Sequence, residues 1–136
     1  MSAQAGFREV EHTADWELEV WAADLPALLE QAARGMYALS GVHLGQVPAK
    51  PRRLVLPAGD PEKLLVSFLS ELLYLQERDG LVFTSFNLVI EEDRLLAEIQ
   101  GVPLAGLDKE IKAVTYHNLN LRQTQRGIEA RIVFDV

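Results

Sequence analysis

Cysteine is absent from the 136 residues, and neither a long apolar run nor an excess of basic side chains is present. The absence of cysteine excludes disulfide bonds, thiolate metal sites and a cysteine nucleophile. No apolar run reaches the roughly 20 residues that a membrane-spanning helix needs, and the N-terminus lacks the basic and apolar regions of a secretory signal. The sequence therefore predicts a cytoplasmic protein that has no membrane partner.

Acidic residues outnumber basic ones, with 20 Asp and Glu against 13 Lys and Arg and a formal net charge of -7. Proteins that bind a phosphate backbone by themselves depend on lysine and arginine. The sequence also lacks the glycine-rich nucleotide motifs, the HExxH zinc motif and the GxSxG nucleophile motif. This balance favours a protein that binds a metal ion or docks on a basic partner.

Two segments have the apolar periodicity of helices. Asp24 and Asp60 are the predicted N-caps, and a proline follows each of them in the first turn, where its missing N–H costs nothing. Gly41 and Gly80 are placed to end the two helices. The length is typical of one domain, and we expect residues 1–136 to form it.

Alternation of apolar and polar residues predicts seven strands. They cover residues 7–10, 16–22, 52–56, 81–91, 94–102, 112–124 and 128–136. Residues 42–51 and 103–110 are predicted to be loops. The order of elements predicts an α+β fold, in which two helices pack on one face of a largely antiparallel mixed β-sheet as a two-layer sandwich.

The last strand carries the candidate site. Ile132 and Phe134 fall on the apolar face, so Asp135 falls on the other face with Arg131 and Val133. A strand end held in a sheet would present two carboxylates, the Asp135 side chain and the Val136 α-carboxylate, and a hard divalent cation prefers such ligands. An ordinary exposed aspartate near water is the alternative.

A short link at residues 125–127 predicts a hairpin between the last two strands. Opposed residues share a face, so matching the apolar faces of the two strands sets the register. The predicted pairs are Thr124 with Gly127, Tyr116 with Asp135, and His117 with Phe134. Lys112 would then lie just beyond the end of the last strand.

The strand at residues 16–22 begins just after Asp15. If this strand pairs antiparallel with the last one, Asp15, Asp135 and the Val136 carboxylate form an oxygen cluster. Such a cluster suits calcium, magnesium or manganese rather than zinc. Lys112 and His117 would lie close to it. Taken singly, each of these residues also has an ordinary structural interpretation, as a turn acid, an edge lysine or a satisfied histidine.

Four stretches along nearly the whole chain match motifs of one family. They are His12-Thr13-Ala14-Asp15, Glu71-Leu72-Leu73-Tyr74-Leu75, Lys112-Ala113-Val114-Thr115-Tyr116-His117 and Phe134-Asp135-Val136. In their order and spacing the chain resembles an archease. The resemblance implies a small activator of the RtcB-type RNA ligase of tRNA splicing, which promotes guanylylation of the ligase with GTP and its multiple turnover. Such a protein is not an enzyme, and it meets tRNA only through the ligase.

The resemblance also implies roles for individual residues. It implies a divalent metal ion, calcium first, on Asp15, Asp135 and Val136. It assigns ligase activation to Lys112, and it marks His12 and His117 as shared polar residues without an assigned role. In one departure from the family pattern, Val102 follows Gly101 where many members have a glutamate.

Two other classes of function stay open from the sequence. A metal-dependent phosphoesterase would use Asp15 and Asp135 to hold its metal. A chaperone-like modulator of tRNA-modifying enzymes is a role that the resemblance also implies.

Overall fold

The structure is a computed structural model that describes residues 4–10 and 16–136. Within these ranges the elements follow the order β1 (Gly6–Val10), β2 (Trp16–Ala22), α1 (Leu25–Ser40), β3 (Val42–Leu44), β4 (Lys50–Pro57), α2 (Pro61–Asp79), β5 (Leu81–Glu91), β6 (Arg94–Leu107), β7 (Ala113–Val114), β8 (Arg122–Thr124) and β9 (Gly127–Asp135). The predicted α+β class is confirmed. No helix in these ranges is long and apolar enough to cross a membrane.

The described strands form two antiparallel sheets, whereas the sequence predicted one mixed sheet. The first sheet has the order β1-β2-β9-β7, and β8 also pairs with β9. In the second sheet β6 is the common partner of β3, β4 and β5. Every pairing among the described strands is antiparallel.

Part of each predicted loop belongs to the second sheet. Residues 42–51 contain β3 and the start of β4, and β6 continues through Pro103 to Leu107. The two segments stabilise each other, because Val42 of β3 lies opposite Leu107 of β6. Their partners are far apart in the sequence, so local composition indicated loops where long-range pairing makes strands.

Both helices begin and end where the sequence predicts. The Asp24 carboxylate accepts the Ala27 N–H at 3.0 Å, and Asp60 caps α2 in the same way. Gly41 and Gly80 end the helices with φ of 63° and 66°, a left-handed conformation that favours glycine.

Helix α2 supplies the centre of the core. Its fully buried side chains are Leu64, Leu65, Phe68, Leu69 and Leu72. They join one contiguous apolar cluster with α1 and with the inner faces of both sheets. The inner face of the first sheet includes Leu18 and Val20 of β2 and Ile132 and Phe134 of β9. The end of β9 is therefore attached to the core through every second side chain.

Residues 112–124, predicted as one strand, form two short strands separated by a turn. Asn118 adopts the left-handed φ of 56° in this turn. The Leu121 N–H then donates to the Glu62 carboxylate at 3.0 Å, which attaches the segment to the first turn of α2. Thr115 still bonds to Val133 of β9, but the chain then turns at Asn118 and bonds to the helix at Leu121, so the strand does not continue.

The interruption changes the register of the hairpin. Next to the turn the prediction is confirmed, since Thr124 lies opposite Gly127. Beyond the interruption, Ala113 lies opposite Asp135 and Val114 lies opposite Phe134. The predicted pairs of Tyr116 with Asp135 and of His117 with Phe134 are therefore wrong, because residues 115–121 do not continue the strand.

An ion-pair cluster surrounds Arg126 in the turn of this hairpin. The Arg126 guanidinium donates to Glu19 at 2.6 Å and to Glu129 at 2.5 Å. It also lies over the Trp21 ring, 4.1 Å from the ring centroid. The cluster is on the face of the first sheet that points away from the helices. Arg126 therefore occupies the turn because it joins the turn to β2 and β9.

The same arginine makes stability depend on pH. Its hydrogen bonds hold the pKa of Glu19 and the pKa of Glu129 below the usual value of 4.5. A lowered folded-state pKa gives stability that is complete above the unfolded-state pKa and is lost as the pH falls through the folded-state pKa. We therefore expect Arg126→Gln to lower the free energy of unfolding at pH 7 and to flatten its decline below pH 4.5.

Urea unfolding at a series of pH values tests this expectation. Arg53→Gln is the control, because Arg53 pairs with Glu98 where both side chains are exposed and such pairs contribute little. An Arg126→Gln curve that runs parallel to the wild-type curve would show that the cluster does not cause the acid sensitivity.

Candidate metal site at the end of β9

The end of β9 is held in place by core packing and by hydrogen bonds from the segment at residues 112–115. Phe134 is buried, the Asp135 side chain is exposed, and Val136 is half-buried against the core cluster. The Lys112 N–H donates to the Asp135 carbonyl oxygen at 2.7 Å. Thr115 donates to the Val133 carbonyl oxygen through its N–H at 3.0 Å and through its Oγ1 at 2.9 Å. The Asp135 carboxylate therefore extends into solvent from a well-anchored backbone.

The start of β2 lies beside the end of β9. The two strands pair antiparallel, with Trp16 opposite Phe134. The predicted oxygen cluster depended on this pairing of β2 with β9. The pairing is confirmed. Asp15 and His12 lie outside the described residues, so their part in the site stays a prediction.

Glu17 is an acidic residue near this end of the sheet that the sequence did not single out. It lies opposite Val133, and alternation along β9 puts Asp135 on the same face as Val133. Glu17 is only 7% exposed although this face points away from the helices. The register of β2 against β9 is needed to see that Glu17 and Asp135 share a face.

The Asp135 carboxylate is the type of ligand that a hard divalent cation binds. An exposed carboxylate on a fixed strand is the ligand that calcium and magnesium prefer. Across residues 4–10 and 16–136, no group of three or more histidine, aspartate or glutamate side chains is arranged to hold a metal ion. A complete site would therefore need further oxygen donors beside Asp135, of which Asp15 and the Val136 carboxylate are the predicted ones.

Lys112 lies next to the strand end and also lines a groove of about 750 Å³. The groove runs between α2 and the segment 104–114. Its walls include Leu73, Tyr74 and Glu77 on one side and Leu107, Glu110 and Lys112 on the other. Lys112 thus connects the groove to the end of β9 through its backbone bond to Asp135.

Lys109 is a second lysine at this end of the sheet, and it was not predicted. Its Nζ lies 5.7 Å from the centroid of the Trp16 ring, and its N–H donates to the Ser40 carbonyl oxygen at 3.0 Å. His117 is exposed in the turn that follows β7, and its N–H donates to Thr115 Oγ1 at 3.2 Å. His117 therefore does not lie opposite the last strand.

The fold and the site together define a small α+β protein whose last strand presents an exposed carboxylate beside a groove that Lys112 helps to line. Residues 7–136 match the model of the Archease protein family. The chain therefore belongs to the archease family. Family membership supports an accessory or chaperone-like protein.

Individual relatives agree with this assignment. The chain is 36% identical to the archease of Methanosarcina acetivorans, over 96% of this chain and 95% of the relative. The solution structure of Methanobacterium thermoautotrophicum protein 1598 superimposes with a TM-score of 0.73 at 26% identity, covering 96% of this chain and 99% of that one. The archease crystal structure from Thermotoga maritima has the same fold, with a TM-score of 0.71 at 22% identity over 95% of this chain and 96% of that one.

Proposed function

We propose that this protein is a divalent-metal-binding accessory protein that activates an RtcB-type RNA ligase in tRNA splicing or RNA repair. It promotes guanylylation of the ligase and its multiple turnover, and it is not itself the ligase. The observation that supports this most is the antiparallel pairing of β2 with β9. This pairing puts the strand that follows Asp15 beside the strand that ends at Asp135.

In this proposal Asp15, Asp135 and the Val136 α-carboxylate hold the cation, with calcium first and magnesium or manganese as alternatives. When bound, such an ion would supply positive charge that these carboxylates could present to the ligase. Lys112 acts in activation from its position beside Asp135. The core attachment of β9 and the hydrogen bonds from Lys112 and Thr115 hold the backbone that carries Asp135 and Val136 in one position.

The charge of the chain agrees with docking on a ligase. A ligase that binds RNA needs a basic surface, and a protein with a net charge of -7 is complementary to it. Complementary charge mainly raises the rate of encounter and the specificity of the complex. Contact with tRNA is then made through the ligase.

The experiment that tests the proposal is multiple-turnover RNA ligation by the RtcB-type ligase of the same genome, with GTP and a divalent metal. Three reactions are compared: no addition, this protein, and this protein extended by a few residues beyond Val136. The extension moves the terminal carboxylate and leaves the β9 pairing intact. We expect stimulation by the native protein and its loss on extension.

Other outcomes contradict separate parts of the proposal. Stimulation that survives the extension would keep the activator role and remove Val136 from the metal site. No stimulation of a competent ligase would favour the chaperone-like role towards tRNA-modifying enzymes, which co-purification with a methyltransferase would support. Hydrolysis of small phosphoesters by the isolated protein, lost in Asp135→Asn, would favour the phosphoesterase.

A further inference from the structure

The groove between α2 and the segment 104–114 has the features of a protein-docking surface. At about 750 Å³ it has room for several side chains of a partner. Its apolar lining comes from Leu73, Leu104, Leu107, Ile111 and Val114. One wall ends at β7, which lies at the edge of the first sheet. A segment in the groove would thus lie between a helix and a sheet edge.

Tyr74 is a large, partly exposed side chain in the lining of this groove, and Arg78 packs against it. It is 50% exposed. The Arg78 guanidinium lies over its ring, 5.1 Å from the centroid, and Arg78 also pairs with Asp79 at 2.9 Å. An ordered, half-exposed tyrosine loses little conformational freedom on binding, and tyrosine is enriched among residues that dominate binding energy.

The charge of the groove selects the kind of partner. Glu77 and Glu110 are exposed on its walls, and Lys112 is the basic residue in its lining. Arg78, beside Glu77 in the sequence, is engaged by Asp79 and Tyr74. Two carboxylates against one ammonium group disfavour RNA phosphate and favour a partner segment with lysine or arginine.

We propose that this groove binds a segment of the partner ligase in which an apolar side chain is flanked by lysine or arginine. The apolar side chain packs between Tyr74 and the leucines, and the basic groups pair with Glu77 and Glu110. This inference rests on the proposed function and separates two tasks. The groove supplies affinity for the ligase, and the carboxylates at the end of β9 supply activation.

Two variants test this division of tasks. Tyr74→Ala removes the exposed ring, and the double variant Glu77→Lys with Glu110→Lys reverses the charge of the walls. The matched control is Glu91→Lys with Glu98→Lys, which changes the net charge equally at exposed positions of the second sheet. The readouts are the Kd for the purified cognate ligase by calorimetry and the ligation rate at saturating concentrations of each variant.

We expect each groove variant to raise the Kd for the ligase by about tenfold or more, and the control to change it by less than about threefold. At saturation the groove variants should restore the wild-type ligation rate. An unchanged Kd, or a lower rate that saturation does not restore, would overturn the inference while leaving the proposed function intact. A wild-type protein that does not bind the ligase at all would overturn both.

RNA is the remaining alternative occupant, and the same variants address it. We expect the isolated protein to show no binding of a fluorescent single-stranded RNA that depends on the groove. Weaker RNA binding by Tyr74→Ala, or binding that the charge-reversed groove pair tightens more than the Glu91→Lys with Glu98→Lys control does, would identify the groove as an RNA site and overturn the protein-docking inference. Thermal unfolding of each variant checks that the fold is retained.

Discussion

Asp135→Asn is expected to abolish most of the stimulation of the ligase while leaving the fold unchanged. The substitution keeps the size of the side chain and removes its charge. Asp135 is exposed and lies after the buried Phe134, so no core contact is lost. Loss of one charged oxygen ligand should weaken calcium binding by about tenfold or more, equivalent to about 1.4 kcal/mol. Calcium titration by calorimetry and multiple-turnover ligation measure the two effects.

Asp93→Asn is the matched control for this substitution. Asp93 is an exposed aspartate in the turn between β5 and β6 of the second sheet, with φ of 61°. Asparagine tolerates this conformation as well as aspartate does. The control should bind calcium and stimulate the ligase as the wild type does. If Asp135→Asn behaved like Asp93→Asn, the end of β9 would not be the metal site.

The parts of the fold that the sequence predicts well are those whose signals are local. Asp24 and Asp60 cap the helices that follow them, and Gly41 and Gly80 end those helices. The alternation in β2 and β9 also predicts which side chains are buried, because a period of two leaves one choice of inner face. The outward position of Asp135 is predictable for the same reason, because the neighbouring Phe134 is on the buried face.

The parts that the sequence does not predict depend on partners distant in the chain. The apolar alternation of Leu119 and Leu121 is typical of a strand, yet the Leu121 N–H bonds to Glu62 of α2. That bond belongs to the tertiary structure, and it lies in the segment that interrupts the strand, beyond which Asp135 pairs with Ala113 and not with Tyr116. The position of Lys109 over Trp16 is likewise set by the path of the loop after β6. Strand propensity depends on tertiary context, and in this segment the tertiary contacts override it.

Gly127→Ala is expected to be the most destabilising single substitution among those considered. Gly127 begins β9 with a φ of 103°, a backbone conformation that residues other than glycine rarely adopt. An added Cβ would collide with the Ala22 carbonyl oxygen on β2. The Cβ position is fixed by the backbone of β9 and the oxygen belongs to the backbone of β2, so no side-chain rotation relieves the contact. Backbone strain alone costs about 1–3 kcal/mol, and the added contact should bring the loss of unfolding free energy to about 3 kcal/mol or more. Urea unfolding at 25 °C measures it.

Gly106→Ala is the control, because an added Cβ at Gly106 in β6 meets nothing within 4 Å. Its unfolding free energy should stay within about 0.5 kcal/mol of the wild type. Equal losses in the two variants would mean that Gly127 does not fix the join between β2 and β9. The comparison also bears on the site, because a one-residue slip of β9 would turn Asp135 towards the core face. If Gly127→Ala shifts the register of β9, calcium affinity should fall in that variant and stay unchanged in Gly106→Ala.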